Sequence, residues 1–282
     1  MKKISIQEVI DRVQDIPAFP MTVSNIIRLT EDPDSTVQDI EKEITKDQSL
    51  TARVLRFANS THYGYSRKIS TISQATVVLG FQAIKSIALA ATVSKMMAQE
   101  LPGYAMEKEA LWNQSQTCAI AARLVAKKTR YPRPDEAYVA GLLRDVGKVI
   151  LNHYLTSEMS AVQEAVEQDQ ISFMQAEEAV LGFHHGQIGA KIAEKWNLPD
   201  ALVESIAYHH EPEQASINEK LVAITHVADA MVMMLGVHMG ADGLQYSFSS
   251  NAMEKLNLTE SQLQEILSDL IDVTSDEETF HH

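Results

Sequence analysis

Apolar residues recur at intervals of three and four along most of the chain, while β-branched alternation is scarce. Val54, Leu55 and Ala58 follow Leu50 and Thr51. Ala137, Ala140, Leu143, Val146 and Ile150 keep the same spacing after a proline-rich turn. This pattern predicts an all-α fold. Asp34 and Ser35 ahead of VQDIEKEI predict a capped helix there. A long helical run is expected from about Ser73 through Met97, and another helix opening at Glu107. The short ISTIS segment, Ile69–Ser73, fits either helix or strand.

Breaks fall where helices should end. Pro17, Pro20, Pro33, Pro102–Gly103, Pro132, Pro134, Pro199 and Pro212 punctuate the chain at helix-length intervals. The boundary is expected near Leu101–Ala105, which gives an N-terminal helical region over 1–104 and a helical domain over 105–274. Residues 275–282 read as a disordered acidic tail, and the terminal His281–His282 pair as a tag remnant. Both are set aside from the functional argument. No period of 20–50 residues repeats.

Composition narrows the class. The chain has 282 residues, 45% hydrophobic and 22% charged, with a formal net charge of −14. These are globular values, and the length allows one large domain or two modest ones. Residues 1–105 carry 12 Lys+Arg against 11 Asp+Glu, and the remainder carries 12 against 27. An acidic half of that size repels a phosphate backbone, so nucleic acid is not an expected partner. The lone Cys118 excludes a disulfide framework and a multi-thiolate zinc site. No segment approaches the roughly 20 apolar residues that span a bilayer. The polar start MKKISIQEVIDR is unlike a signal peptide. A soluble, cytoplasmic protein is the expectation.

Three points in the acidic half could carry chemistry. GLLRDVGK sets Asp145 and Lys148 three apart, on one helical face if the helix persists across Gly147. LGFHHGQIG carries His184 and His185 into a helix, and IAYHHEP leaves His209 and His210 at the end of one. Asp229 sits inside the apolar run LVAITHVADAMV, where an unpaired carboxylate is costly. Imidazoles and carboxylates converging from separate helices form a metal-site pattern. Each group also has a plainer role: a His as a helix cap, Asp229 as a hydrogen-bond acceptor, Lys148 as a solvated cation.

GLLRDVGKVIL, LGFHHGQIGAKIAEKWNLP and AYHHEP resemble the HD superfamily of metal-dependent phosphohydrolases. IPAFPMTVSNIIRL, DQSLTARVLRFANSTHYG and ISTISQATVVLGFQAIKSIAL narrow the resemblance to the HDOD family (HD-related output domain) of bacterial signalling proteins. The likeness runs from about Ile16 to Asp229. It implies metal ligands in the order His, His-Asp, Asp, and two of these positions depart from the pattern. Gln114 stands where the first His belongs, and Arg144 stands for the His of the His-Asp pair, while Asp145, His185, His209, His210 and Asp229 match. An amide oxygen suits transition metals poorly, and a guanidinium cannot ligate at all. Arg144 is expected to point inward as a cation beside Asp145 and Asp229, the alternative being an outward, solvated side chain.

Two functions follow from the resemblance. The first is a non-catalytic pseudoenzyme that binds a signalling protein or a small anionic ligand, with no cofactor. The second keeps a phosphohydrolase, in which Asp145, His185, His209, His210 and Asp229 hold a single divalent metal and Lys148 steadies a phosphate. The Gly-Tyr-Pro motif of the related cyclic di-GMP phosphodiesterases is missing after His209, so that activity is not expected. In the N-terminal region, Arg53, Arg56, Arg67 and Lys68 with His62, Tyr63 and Tyr65 could bind an anion. They fit a solvated face equally well, with Asn59, Ser60 and Gly64 forming a turn. The methionines at 96, 97, 231, 233 and 234 read as core first, and as adaptable partner surface second.

Overall fold

A computed structural model describes residues 20–60, 68–237 and 249–279, with isolated positions nearer the N-terminus. Among the described residues all regular structure is helical, apart from one isolated bridge between Leu101 and Met106. None of the helices in this part of the chain is long and apolar enough to cross a membrane. The chain forms two compact units, one built on Pro17–Lys95 with Ser268–His282, the other on Met96–Leu267 with Met1–Ile16.

The smaller unit begins with α1 (Met21–Glu31), α2 (Val37–Ile44), α3 (Gln48–Ala58) and α4 (Ile72–Leu79). Ile26, Ile40, Ile44, Val54 and Ile72 are buried there. The cap of α2 is Thr36, not Asp34 or Ser35. Thr36 and Asp39 close a reciprocal capping box, with Thr36 N donating to Asp39 Oδ2 at 2.9 Å and Asp39 N to Thr36 Oγ1 at 3.3 Å. ISTIS resolves as a helix start, because Thr71 caps α4 through Gln74 N. The long helix expected over Ser73–Met97 is two helices. Gly80, at φ +84°, ends α4 and α5 (Phe81–Met97) begins at once, a turn that the unbroken apolar spacing does not reveal.

Asn59 closes α3, though not in the left-handed conformation its residue type allows, since its φ is −96°. Its side chain does the work instead. It donates to Leu55 O at 2.7 Å and to Ile69 O at 2.9 Å, and accepts from Ile69 N at 2.8 Å.

The larger unit comprises α6 (Ala110–Lys128), α7 (Pro134–Leu143), α8 (Val146–Tyr154), α9 (Thr156–Asp169), α10 (Phe173–Leu181), α11 (His185–Lys195), α12 (Asp200–Tyr208), α13 (Glu219–Met234) and α14 (Ser250–Leu256). A 3-10 turn at Pro102–Tyr104 precedes α6, which opens at Ala110 rather than Glu107. Helix α13 is buried at every position from Leu221 to Met233 and packs against α6, α7 and α12. Helices α8 and α11 touch backbone to backbone. A Cβ on Gly147 would lie 1.9 Å from His185 O, so only glycine permits that approach. The last helix, α15 (Glu260–Thr279), carries the SDEET run as far as Thr279, beyond the expected start of a disordered tail at 275. It enters that run already formed, with Ile266 and Leu270 buried. Residues 280–282 lie outside the described residues.

Candidate functional site

The close contact of α8 with α11 brings Asp145 and Lys148 against His185. Asp145 is the N-cap residue of α8, His185 the first residue of α11, and His209 the C-cap of α12. Helix α13 supplies Asp229 and α6 supplies Gln114. All are buried except His210, which is half-buried. The residues singled out in the acidic half, His184 excepted, therefore meet in one place, and Asp145 divides them into two sets.

On one side lies Arg144, which is 0% exposed. Its Nε donates to Asp229 Oδ1, Nη1 to Gly141 O at 3.1 Å, and Nη2 to Gln114 Oε1 at 3.3 Å. Nη2 also stands 3.0 Å from Asp145 Oδ2. Gln114 completes the set by donating to Val237 O at 3.3 Å and facing Met233 Sδ at 3.7 Å. The guanidinium is thus directed inward, with two carboxylates and two neutral oxygens around it. Burial pushes both carboxyls toward neutrality, but Arg144 outweighs it and holds Asp145 and Asp229 below the usual carboxylate range. Asp229, one of the ligands expected from the resemblance, belongs to this ion pair.

On the other side, Asp145 Oδ1 faces three imidazoles. His185 Nε2 is 3.3 Å from it, His209 Nε2 3.8 Å, and His210 Nε2 lies 2.9 Å from His185 Nε2. Together these four residues could hold a metal ion, with one ligand atom each and all four atoms within 4.8 Å of one another. Lys148 Nζ reaches the same oxygen at 3.2 Å and lies 5.6 Å from the centre of the Tyr104 ring. None of the contacts to Oδ1 is aligned as a hydrogen bond, and buried Asp145 Oδ1 and His209 Nε2 both lack a hydrogen-bond partner.

Outer groups fix the rings. His209 Nδ1 donates to Ile206 O at 2.9 Å, which leaves its Nε2 lone pair directed inward in the neutral ring. Glu177 on α10 accepts from His185 Nδ1 and from His185 N, each at 2.8 Å, and from Tyr104 Oη at 2.5 Å. Burial disfavours a charged His185, but the Glu177 carboxylate outweighs it and raises the imidazole above its ordinary value. With Nδ1 held by Glu177, Nε2 is the nitrogen that faces Asp145 and His210. Burial lowers His209 to about 3 and His210 well below the ordinary range, so both are neutral. Glu177 and Tyr104 escaped the sequence reading. Their only trace is position, since Glu177 falls on the apolar face of QAEEAVL beside the exposed Glu178.

His184 stands apart, because its Nδ1 caps α11 by accepting Gly186 N at 3.1 Å. A neutral His184 then carries its proton on Nε2, which makes the neighbouring Glu178–His184–Glu211 group a poor metal site. Of the cationic residues in the smaller unit, Arg53 donates to Ser49 Oγ at 2.9 Å, and Arg56 and Lys68 are exposed. Arg67, His62, Tyr63, Gly64 and Tyr65 lie outside the described residues.

The four convergent ligand atoms and the two buried atoms without partners fit a single divalent metal on the imidazole side. The Arg144 side does not fit one, because a guanidinium already fills it.

Comparison with known proteins agrees with this architecture. An HDOD domain protein of unknown function from Geobacter sulfurreducens is 28% identical, with a TM-score of 0.80 over 97% of this chain and 95% of the other. A candidate signal transduction protein from Marinobacter aquaeolei, 22% identical, shares the fold at a TM-score of 0.76 over 97% of this chain and 61% of its own. A candidate phosphohydrolase from Shewanella amazonensis, 23% identical, does so at 0.66 over 93% and 97%. The chain spans 44% of the length of an uncharacterized Treponema pallidum protein that it matches over 227 residues at 25% identity. Residues 16–212 match the HDOD domain, most of the chain, and the protein belongs to that family.

Proposed function

We propose that this protein is a non-hydrolytic signalling module, in which Arg144 acts as a permanent internal cation at a position where the HD-type pattern calls for a metal ligand. The observation that supports it is the buried guanidinium bound to Asp229 and lying 3.0 Å from Asp145. A water-activating centre needs an open coordination position beside its ligands. Here the arginine fills the space between the two carboxylates, and Gln114 adds an amide oxygen to it. The output is binding of a signalling protein, with a small anionic ligand as the second class of partner. The name of the Marinobacter neighbour fits that role.

The phosphohydrolase alternative draws on the three imidazoles facing Asp145 Oδ1. It is weakened by Lys148, whose ammonium is buried against Asp145 and Tyr104. The test is hydrolysis by the full chain with manganese, iron or zinc, using p-nitrophenyl phosphate, its bis-ester and a nucleotide panel. Rates should equal those of the metal alone. Turnover that Asp145→Asn abolishes would overturn the proposal.

A further inference from the structure

Three distances among the imidazole-side atoms have the dimensions of a coordination polyhedron. A tetrahedral ion with bonds of about 2.0–2.1 Å has ligand–ligand edges of roughly 3.3 Å. The edges at hand are 2.9 Å between His185 and His210, 3.3 Å between His185 and Asp145, and 3.8 Å between His209 and Asp145. Ring orientation is set without an ion, by Glu177 on His185 and by Ile206 O on His209. The one charged group out of place is Lys148. It is 2% exposed, and its ammonium lies 3.2 Å from the same carboxylate oxygen that an ion would use.

We infer that Lys148 is an internal competitor for the divalent ion that the imidazole side fits, one that the ion must displace from Asp145. Three nitrogens and one oxygen suit zinc or cobalt better than magnesium or calcium. Two cations sharing one carboxylate oxygen at this depth repel each other strongly. Lys148 therefore sets the affinity, holding the site weak and exchangeable where an uncharged side chain would leave it tight. The flexible lysine stem can carry the ammonium off Asp145 when the ion enters. The site becomes a sensor of metal concentration, coupled through Asp145 to the Arg144 ion pair. The inference rests on the proposed role of Arg144 only in limiting the site to one ion.

The test uses the full chain with His281→Ala and His282→Ala, so that the terminal imidazoles do not contribute, and titrates Zn2+ and Co2+ alone. One ion per chain is expected by calorimetry, with cobalt absorption bands of a four-coordinate nitrogen-rich site. Lys148→Met should bind at least about tenfold tighter, while Lys148→Arg, which keeps the charge, should not. Glu177→Gln should weaken binding about 10–100-fold. Lys148→Gln provides the same comparison should the Met variant melt in circular dichroism. Absence of saturable binding in both the parent and the uncharged variants would overturn the inference, as would uncharged variants that bind no tighter than the parent. Neither result bears on hydrolysis, and turnover by the metal-loaded chain would overturn the non-hydrolytic reading while leaving the ion count intact.

Discussion

The two oxygens of Asp145 face differently built surroundings. Oδ2 looks toward Arg144, which holds Asp229 and Gln114 with it and leaves a closed, charge-compensated cluster. Oδ1 looks toward three imidazoles and one lysine, and two buried atoms there lack hydrogen-bond partners. Both sides arise from the same helix junction, and His210 alone among their residues is only half-buried. They differ in the identity of the cation: Arg144 is bound by several fixed acceptors, whereas Lys148 is a single point charge on a flexible stem. A side chain with a planar fork of donors can replace an ion permanently, and one with a mobile ammonium can only hold its place.

The largest effect should come from Arg144→Ala, which leaves Asp229 buried without its partner beside Asp145, whose remaining cation is Lys148. Breaking a buried pair in this way costs about 3–5 kcal/mol, measurable by urea unfolding. A loss under about 1 kcal/mol would break the distinction, because it would mean that this side is no more fixed than the other. Gly147→Ala comes next. It forces a Cβ against His185 O, should cost about 1–3 kcal/mol, and should disturb the imidazole side first, with zinc affinity falling ahead of cooperative unfolding.

Acid should also act on the imidazole side. Burial depresses His184 to about 4 and His209 to about 3, and lowers His210 and His226 as well. The unfolded chain takes up these protons near pH 6.5 while the native state excludes them, so stability falls as pH drops through 6.5 toward 4. His185 runs the other way. Its raised value contributes stability below pH 6.5 that is lost at higher pH, which makes the net slope shallower. Chelator-treated protein should lose at least about 2–4 °C in Tm between pH 7 and pH 5. A flat or rising profile would mean that the rings are not neutral in the native state. The smallest effect belongs to the other unit: Asn59→Ala should cost about 1 kcal/mol through its lost bonds to Ile69, with zinc binding unchanged.

The site was legible in the sequence to the extent that its residues stand at motif positions. Asp145, His185, His209 and His210 converge from the positions the resemblance marks, while Asp229 joins Gln114 and Arg144 on the other side of Asp145. The division at Asp145 was not legible, since spacing shows which residues converge but not which oxygen each one faces. Glu177 was hidden for a related reason. A buried carboxylate one position from an exposed one looks like ordinary helix surface until His185 and Tyr104 are seen to bond it. In the fold, periodicity found the helices and missed their joints. The apolar spacing runs unbroken through Gly80, and only its positive φ separates α4 from α5.

The most direct measurement is the number of ions bound per chain, by elemental analysis after zinc loading, in the parent and in a Gln114→His/Arg144→His variant, both without the terminal histidines. The structure leads to one ion in the parent and two in the variant, because the new imidazoles free Asp229 and the second oxygen of Asp145. Two ions in the parent would contradict it, showing that Arg144 yields its place to a metal.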